Sequence, residues 1–259
     1  MIQTITSLKN DLVKRAASLK VKKYRQREGL FLLEGKRAVE EALASDWKIQ
    51  CLFYTQLPEG WEEQAETSRV PWYQVSLPVL QKITATEDPQ RVAALVELHR
   101  DNLEAFAPEK GLVLVLDQIR DPGNLGTLIR TADALGAVAV VLMENTADLY
   151  NPKVVRSTMG SLFHLPIFTG VSVEVLAAWC KKRQFDLWAT ALEGAEDVTK
   201  LRWPQKVALV LGSEAEGVSP ELLAKADQKV KIPMAGHAES LNVAIAGGIL
   251  LFEASRNQK

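Results

Sequence analysis

Apolar residues recur at helical intervals through residues 4–20, where Ile5, Leu8, Leu12, Ala16 and Leu19 are separated by basic side chains, and this spacing predicts a helix. The run Leu30-Phe31-Leu32-Leu33 predicts a strand that stops at Gly35, and Ala38, Val39, Ala42 and Leu43 predict a helix over 36–45. Residues 49–54 and 91–98 predict two more strands, with a short helix over 77–85 that carries Pro78 near its first turn. Together these form a small α/β module. The polar stretch 99–110 breaks the pattern and predicts a linker, so domains are expected at 1–105 and 106–259. Beyond it, strands are expected at 112–116, 137–142, 185–190 and 207–211, with helices between them and a last helix over 241–256. These apolar runs do not alternate with polar residues. Strands of that kind are covered on both faces, as in a parallel sheet. The expected fold is α/β, a parallel-sheet domain preceded by a smaller α/β domain.

A hydrophobic content of 47% is ample for a core, and a net charge of −1 gives no global sign of a nucleic-acid partner. The distribution of charge changes that picture. Residues 1–37 hold Lys9, Lys14, Arg15, Lys20, Lys22, Lys23, Arg25, Arg27, Lys36 and Arg37 against only Asp11, Glu28 and Glu34. A basic arm on a near-neutral chain is the local pattern of a phosphate-backbone contact, although solvated helix faces give the same pattern. Cys51 and Cys180 lie too far apart for a metal or redox spacing and read as reduced, packed thiols of a cytoplasmic protein. The N-terminal stretch lacks the apolar core of a signal peptide, and no run reaches the length of a membrane span. His99, His164 and His237 have no metal-ligand spacing, so no metal is expected.

The stretch DQIRDPGNLGTLIRTADALG, residues 117–136, joins an apolar run to a helical pattern through glycines at 123 and 126. A strand, a glycine turn and a helix commonly make a nucleotide site. The spacing is not G-x-G-x-x-G, no G-x-x-x-x-G-K-[ST] loop occurs, and no acid is placed to hold a ribose, which argues against a dinucleotide fold. Two later stretches, LGSEAEGVS (211–219) and IPMAGHAESLNVAIAGGILLFEA (232–254), again pair a strand end with a turn of small residues.

Together the three stretches resemble the SpoU (TrmH-type) family of RNA ribose 2′-O-methyltransferases over residues 112–256. The first matches through Asn124, Gly126 and Arg130, the second through Gly212, Glu214 and Gly217, and the third from Ile232-Pro233-Met234 through Ser240-Leu241-Asn242-Val243-Ala244. Residues 1–100 resemble, more weakly, the substrate-binding domain that precedes the methyltransferase domain in many members. The resemblance implies a SPOUT fold with a deep trefoil knot, S-adenosylmethionine bound bent within it, and a homodimer with the active site near the subunit interface.

A ribose 2′-hydroxyl is a poor nucleophile, so it must be aligned with the sulfonium methyl and helped to lose its proton. The resemblance makes Arg130 the catalytic arginine. An ordinary guanidinium cannot act as a base, so the preferred role is a bidentate grip on the phosphate beside the target ribose. Proton transfer to a phosphate oxygen and to a perturbed arginine both remain open. Asn124 is expected to fix the loop or touch the ribose, and it also suits a helix N-cap. Glu214 is expected to orient Asn124 or Arg130, or else to cap a turn. Ser240 reads as an N-cap whose hydroxyl could serve the active site, with Asn242 beside it. Gly212 and Gly217 allow close backbone approach to the adenine, with Leu211, Ile232, Leu241 and Met234 around the cofactor and Thr190 and Ala191 at its edge. The RNA contacts expected are Lys9, Lys22, Lys23, Arg25, Arg27, Lys36, Arg37 and Arg156, the last at RNA or at the dimer interface. Ribosomal or transfer RNA is the expected substrate. A non-catalytic RNA-binding or ribosome-assembly factor and an RNA base methyltransferase are the competing readings.

Overall fold

The computed structural model describes residues 3–86, 88–237 and 240–257, which form two compact units. The first comprises residues 1–99 and 150–163, and the second 100–149 and 164–259.

In the first unit, β1 (Gln3–Ile5), α1 (Asp11–Ser18), α2 (Lys22–Glu28), β2 (Leu30–Glu34), α3 (Lys36–Ala44), β3 (Ile49–Tyr54), α4 (Glu62–Thr67), β4 (Trp72–Val75), α5 (Leu77–Ile83) and β5 (Val92–Glu97) follow in order. The single helix expected over 4–20 is a strand followed by a helix. The Asn10 side chain stops the pattern from running through, because its Oδ1 accepts from the amides of Leu12 and Val13 at 2.9 and 3.3 Å and starts α1 there. The five strands lie in the order β1-β4-β3-β5-β2. Pairing is parallel from β1 to β3, and antiparallel where β5 meets β3 and β2. Val13, Ala16 and Leu19 of the α1 segment and Val79, Leu80 and Ile83 of α5 pack with Leu32, Phe53 and Leu95 of the sheet.

Arg25 belongs to this framework and not to a basic surface. Only 3% exposed, it donates from Nη1 to the carbonyls of Leu19 and Lys20 at 2.7 and 3.0 Å, satisfying acceptors left over beyond the end of α1. The basic arm is thus folded structure, made of α1, α2 and the entry to α3.

The second unit runs through β6 (Gly111–Leu116), α6 (Pro122–Ala134) and β7 (Ala139–Met143). The chain then contributes α7 (Pro152–Thr158) to the first unit. There α7 packs on β2, with Val154 and Val155 buried and Arg156 paired with Glu34 at 3.8 Å. The second unit resumes with β8 (Ile167–Val171), α8 (Val173–Arg183), β9 (Asp186–Thr190), β10 (Glu196–Asp197), β11 (Lys206–Leu211), α9 (Pro220–Lys225), β12 (Gln228–Lys231) and α10 (Val243–Asn257). Its seven strands lie in the order β10-β12-β9-β11-β6-β7-β8, and every pairing is parallel. The central strands β6, β7 and β11 are buried almost end to end, which is why their sequences do not alternate. All loops leaving the carboxyl ends of these strands emerge at one edge of the sheet.

Both cysteines are buried free thiols, and burial pushes each up to about 12, so neither ionises near neutrality.

Candidate active site

The site is built at the carboxyl edge, where open α/β sheets bind ligands. After β6, Asp117 is only 3% exposed and Gln118 adopts a left-handed φ of 55°. Asp121 then caps α6 by accepting from the Asn124 amide at 2.8 Å, with Pro122 in the first turn. Asp121, not Asn124, is therefore the N-cap, which leaves the Asn124 side chain to reach outward. Its Nδ2 donates to Oε1 of Glu214. Asn242 closes the triangle: its Nδ2 lies 3.2 Å from both Asn124 Oδ1 and Glu214 Oε1. The Oδ1 of Asn242 accepts from the amides of Ala244 and Ile245 at 2.9 and 3.3 Å. Asn242 thus caps α10, and Ser240, which is exposed, does not.

One side chain from each of the three sequence stretches meets here. Glu214 fixes the orientation of both carboxamides, because a carboxylate can only accept. Asn242→Ala should lose the cap of α10 and cost about 1 kcal/mol, a fall of about 2–4 °C in Tm by calorimetry. Asn242→Asp should restore the cap yet set a second carboxylate against Glu214.

The loop between β11 and α9 folds back on itself. Ser213 and Gly217 exchange backbone hydrogen bonds of 3.0 and 2.9 Å, and the Ser213 hydroxyl accepts from the Glu216 amide at 3.1 Å. Gly212 makes this possible, since a Cβ there would lie 2.0 Å from the Gly217 carbonyl carbon and 2.1 Å from the Val218 nitrogen. Asp117 ties down both ends of the loop. Its amide donates to the Leu211 carbonyl at 2.9 Å, and its Oδ2 accepts from the Ser219 amide at 2.8 Å. Sequence reasoning missed Asp117; the available signal was a carboxylate directly after a buried strand.

The remaining expected cofactor residues divide. Ile232 and Leu241 are half-buried, Met234 is 41% exposed, and Gly217 is open to solvent. Leu192, which the sequence did not single out, stands 79% exposed just past β9. Leu211 is 1% exposed, at the end of β11 where its side chain packs toward Gly247 of α10. Thr190 gives its hydroxyl to the Val210 carbonyl at 3.1 Å, and Ala191 gives its amide to the Val230 carbonyl at 3.1 Å. Both bonds hold strands together, and the Thr190 oxygen and the Ala191 carbonyl keep acceptor capacity at the edge. Residues 238 and 239 of the third stretch lie outside the described residues.

Arg130 is exposed on α6, about 9 Å along the helix from Asn124. Unlike the triangle, it makes no hydrogen bond or ion pair among the described residues. Beside it α10 packs closely on α6, where a Cβ on Gly247 would meet Leu128 Cδ2 at 2.4 Å.

In the first unit Lys9, Lys22, Lys23, Arg27, Lys36 and Arg37 are exposed. Arg27 lies 4.8 Å over the Tyr24 ring and pairs with Glu28 at 2.9 Å. Arg156 is half-buried, with its Nη1 3.8 Å from a Glu34 carboxylate oxygen. Among the described residues no cluster of His, Cys, Asp and Glu could hold a metal, and no helix is long and apolar enough to cross a membrane.

A parallel α/β sheet with three turns bonded to one another at its carboxyl edge is the arrangement in which open α/β sheets carry a ligand site. The model of the SpoU rRNA Methylase family matches residues 111–252, and that of the MRM3-like substrate binding domain matches residues 10–94. The chain belongs to the SpoU rRNA methylase family. It is 36% identical over 254 residues to the 23S rRNA (guanosine(2553)-2'-O)-methyltransferase RlmP of Bacillus subtilis (strain 168), covering 97% of this chain and 98% of that one. The AdoMet-bound rRNA methyltransferase from Sinorhizobium meliloti superposes with a TM-score of 0.91 at 37% identity over 98% of each chain. The SpoU methyltransferase AviRb from Streptomyces viridochromogenes, in complex with AdoMet, superposes with a TM-score of 0.88 at 32% identity over 96% of this chain and 98% of that one.

Proposed function

We propose that the protein transfers a methyl group from S-adenosylmethionine to a ribose 2′-hydroxyl of ribosomal RNA, with the second unit as the methyltransferase and the first as the RNA-binding unit. The meeting of Asn124, Glu214 and Asn242 at the carboxyl edge carries this reading. The edge suits the cofactor: Leu192, Met234, Ile232 and Leu241 offer apolar faces to an adenosine, and the loop closed by Gly212 brings backbone groups to its rim. When bound, S-adenosylmethionine supplies an electrophilic methyl on sulfur.

The hydroxyl proton leaves to an oxygen of the adjacent phosphate, and the chain's own residues align and polarise the hydroxyl. Arg130, a permanent cation, grips the phosphate beside the ribose and lowers the cost of charge building on the hydroxyl oxygen. The triangle holds its carboxamides in one orientation, so no reorganisation is needed during transfer. The reading includes the trefoil knot that the family resemblance implies, with Asn242 bonded to the turns after β6 and β11. Pulling the ends of an experimentally traced chain would leave a knot if so, and a straight line if not. Ile245, Ile249 and Phe252 make an exposed apolar stripe on α10 that suits a homodimer, and sedimentation of the purified protein tests it. A ribosomal RNA substrate and two reduced thiols suit the cytoplasm.

The deciding experiment incubates the protein with methyl-labelled S-adenosylmethionine and unmodified 23S rRNA, followed by a nucleoside digest. Label in a 2′-O-methylnucleoside supports the reading. Label in a base would make it a base methyltransferase, and cofactor binding without transfer would make it a binding factor. For the RNA contacts, the combined variant Lys22→Glu, Lys23→Glu, Arg27→Glu should weaken RNA binding. It should also lower the slope of log affinity against log salt by about 2 if the contacted strand is single.

A further inference from the structure

The first unit holds a cleft of about 510 Å³ between the loop after β3, the residues leading into β5 and the start of α3. The cleft is open to solvent, and its volume suits a single nucleotide. Lys36 and Arg91 are balanced at its walls by Glu59 and Asp88, so it is not a plain phosphate trap. Its distinctive groups are two carboxamides, Gln56 and Gln90; a carboxamide pairs donor and acceptor as a nucleobase edge does, and Gln56 keeps its Nε2 donors beyond the bond its oxygen accepts from Arg91.

The walls are arranged for that use. Arg91 is held in a left-handed conformation, φ 49°, that an arginine rarely adopts, and its Nη1 donates to Gln56 Oε1. This bond ties the Arg91 guanidinium to the cleft wall, and a guanidinium is a group on which a base can stack. Gln90 lies across the entry to α3, so close that a Cβ on Gly35 would be 2.7 Å from its Oε1. Lys36 and Arg37, both exposed, follow directly and can meet the flanking phosphates.

We propose that this cleft receives one unpaired nucleotide of the RNA, its base against Arg91, Gln56 and Gln90 and its phosphates at Lys36 and Arg37. The proposal rests on the reading of the protein as an RNA methyltransferase and names where the first unit reads its substrate.

The test uses the full chain and 23S rRNA transcribed with 4-thiouridine. Photo-crosslinks are expected in the peptides holding residues 56–59 or 88–91. The double variant Gln56→Ala, Arg91→Gly should raise KM for RNA about tenfold, with kcat and affinity for S-adenosylmethionine as in the wild type. Arg91→Lys should recover only part of the loss, because it restores charge without a stacking plane. Should the double variant misfold, Gln56→Ala alone, at an exposed side chain, is expected to raise KM severalfold. Crosslinks confined to other peptides together with an unchanged KM would overturn the cleft. So would variants that bind naked rRNA normally and fail only on protein-bearing particles. A wild type that crosslinks at the cleft but transfers no methyl would sink the enzymatic reading and leave the cleft standing. A methylating wild type with an indifferent double variant would do the reverse.

Discussion

Arg130→Ala is expected to slow methyl transfer by about 100- to 1,000-fold while S-adenosylmethionine binds as before. The arginine stands exposed on α6, outside the triangle of Asn124, Glu214 and Asn242, and no described residue holds it. Its removal therefore leaves the fold and the cofactor loops intact. On the proposed role, what disappears is the cation beside a hydroxyl whose oxygen becomes negative as the proton leaves. Arg130→Lys should recover a small part of the rate, since an ammonium keeps the charge but not the two-pronged grip on a phosphate. Single-turnover transfer to rRNA and calorimetry with S-adenosylmethionine measure the two quantities separately. A variant with full turnover would remove Arg130 from the chemistry, and one with lost cofactor binding would give it a different job.

Gly212→Ala should act on the other half of the reaction. The added methyl would sit about 2 Å from backbone atoms of Gly217 and Val218, which cannot rotate aside as a side chain could. The hairpin must open, and overpacking of this kind costs about 1–3 kcal/mol. If the cofactor needs the closed loop, about 2 kcal/mol corresponds to roughly thirtyfold weaker binding of S-adenosylmethionine. Gly217→Ala is the matched control. Gly217 has φ +71° but open space around it, so the change strains one residue by about 1 kcal/mol without a collision. Calorimetric titration of both variants distinguishes a shape requirement at 212 from general intolerance of the loop.

The parts of this protein that could be read from sequence share a physical cause. Val113 to Leu116, Val140 to Leu142 and Val207 to Leu211 are buried on both faces, so burial alone shaped those runs and they announce themselves. Asn124, Glu214 and Asn242 stand out through the resemblance of their three stretches to the SpoU motifs, which no local periodicity would have shown. What stayed hidden depends on partners distant in sequence. Arg25 looks like any surface arginine until the carbonyls of Leu19 and Lys20 are brought beneath it. Asp117 gains its role only when the Ser219 amide arrives. The short strands β4, β10 and β12 carry mixed patterns, because partly exposed strands at or near the sheet margins have less to bury. The N-terminal segment was misread because Ile5 and Leu8 happen to continue the helical spacing of α1 backwards across the Asn10 cap.

The placement of residues 150–163 in the first unit has a practical consequence for anyone who would cut the chain in two. A fragment beginning after the polar linker at 99–110 would still carry α7, now deprived of β2. Val154, Val155 and Leu162, buried in the whole protein, would face water as a sticky loop between β7 and β8. The first unit, for its part, would be missing a helix that no extension of its own C-terminus could supply. The severed halves are therefore poor reagents, and a useful methyltransferase fragment would need 150–163 replaced by a short polar turn.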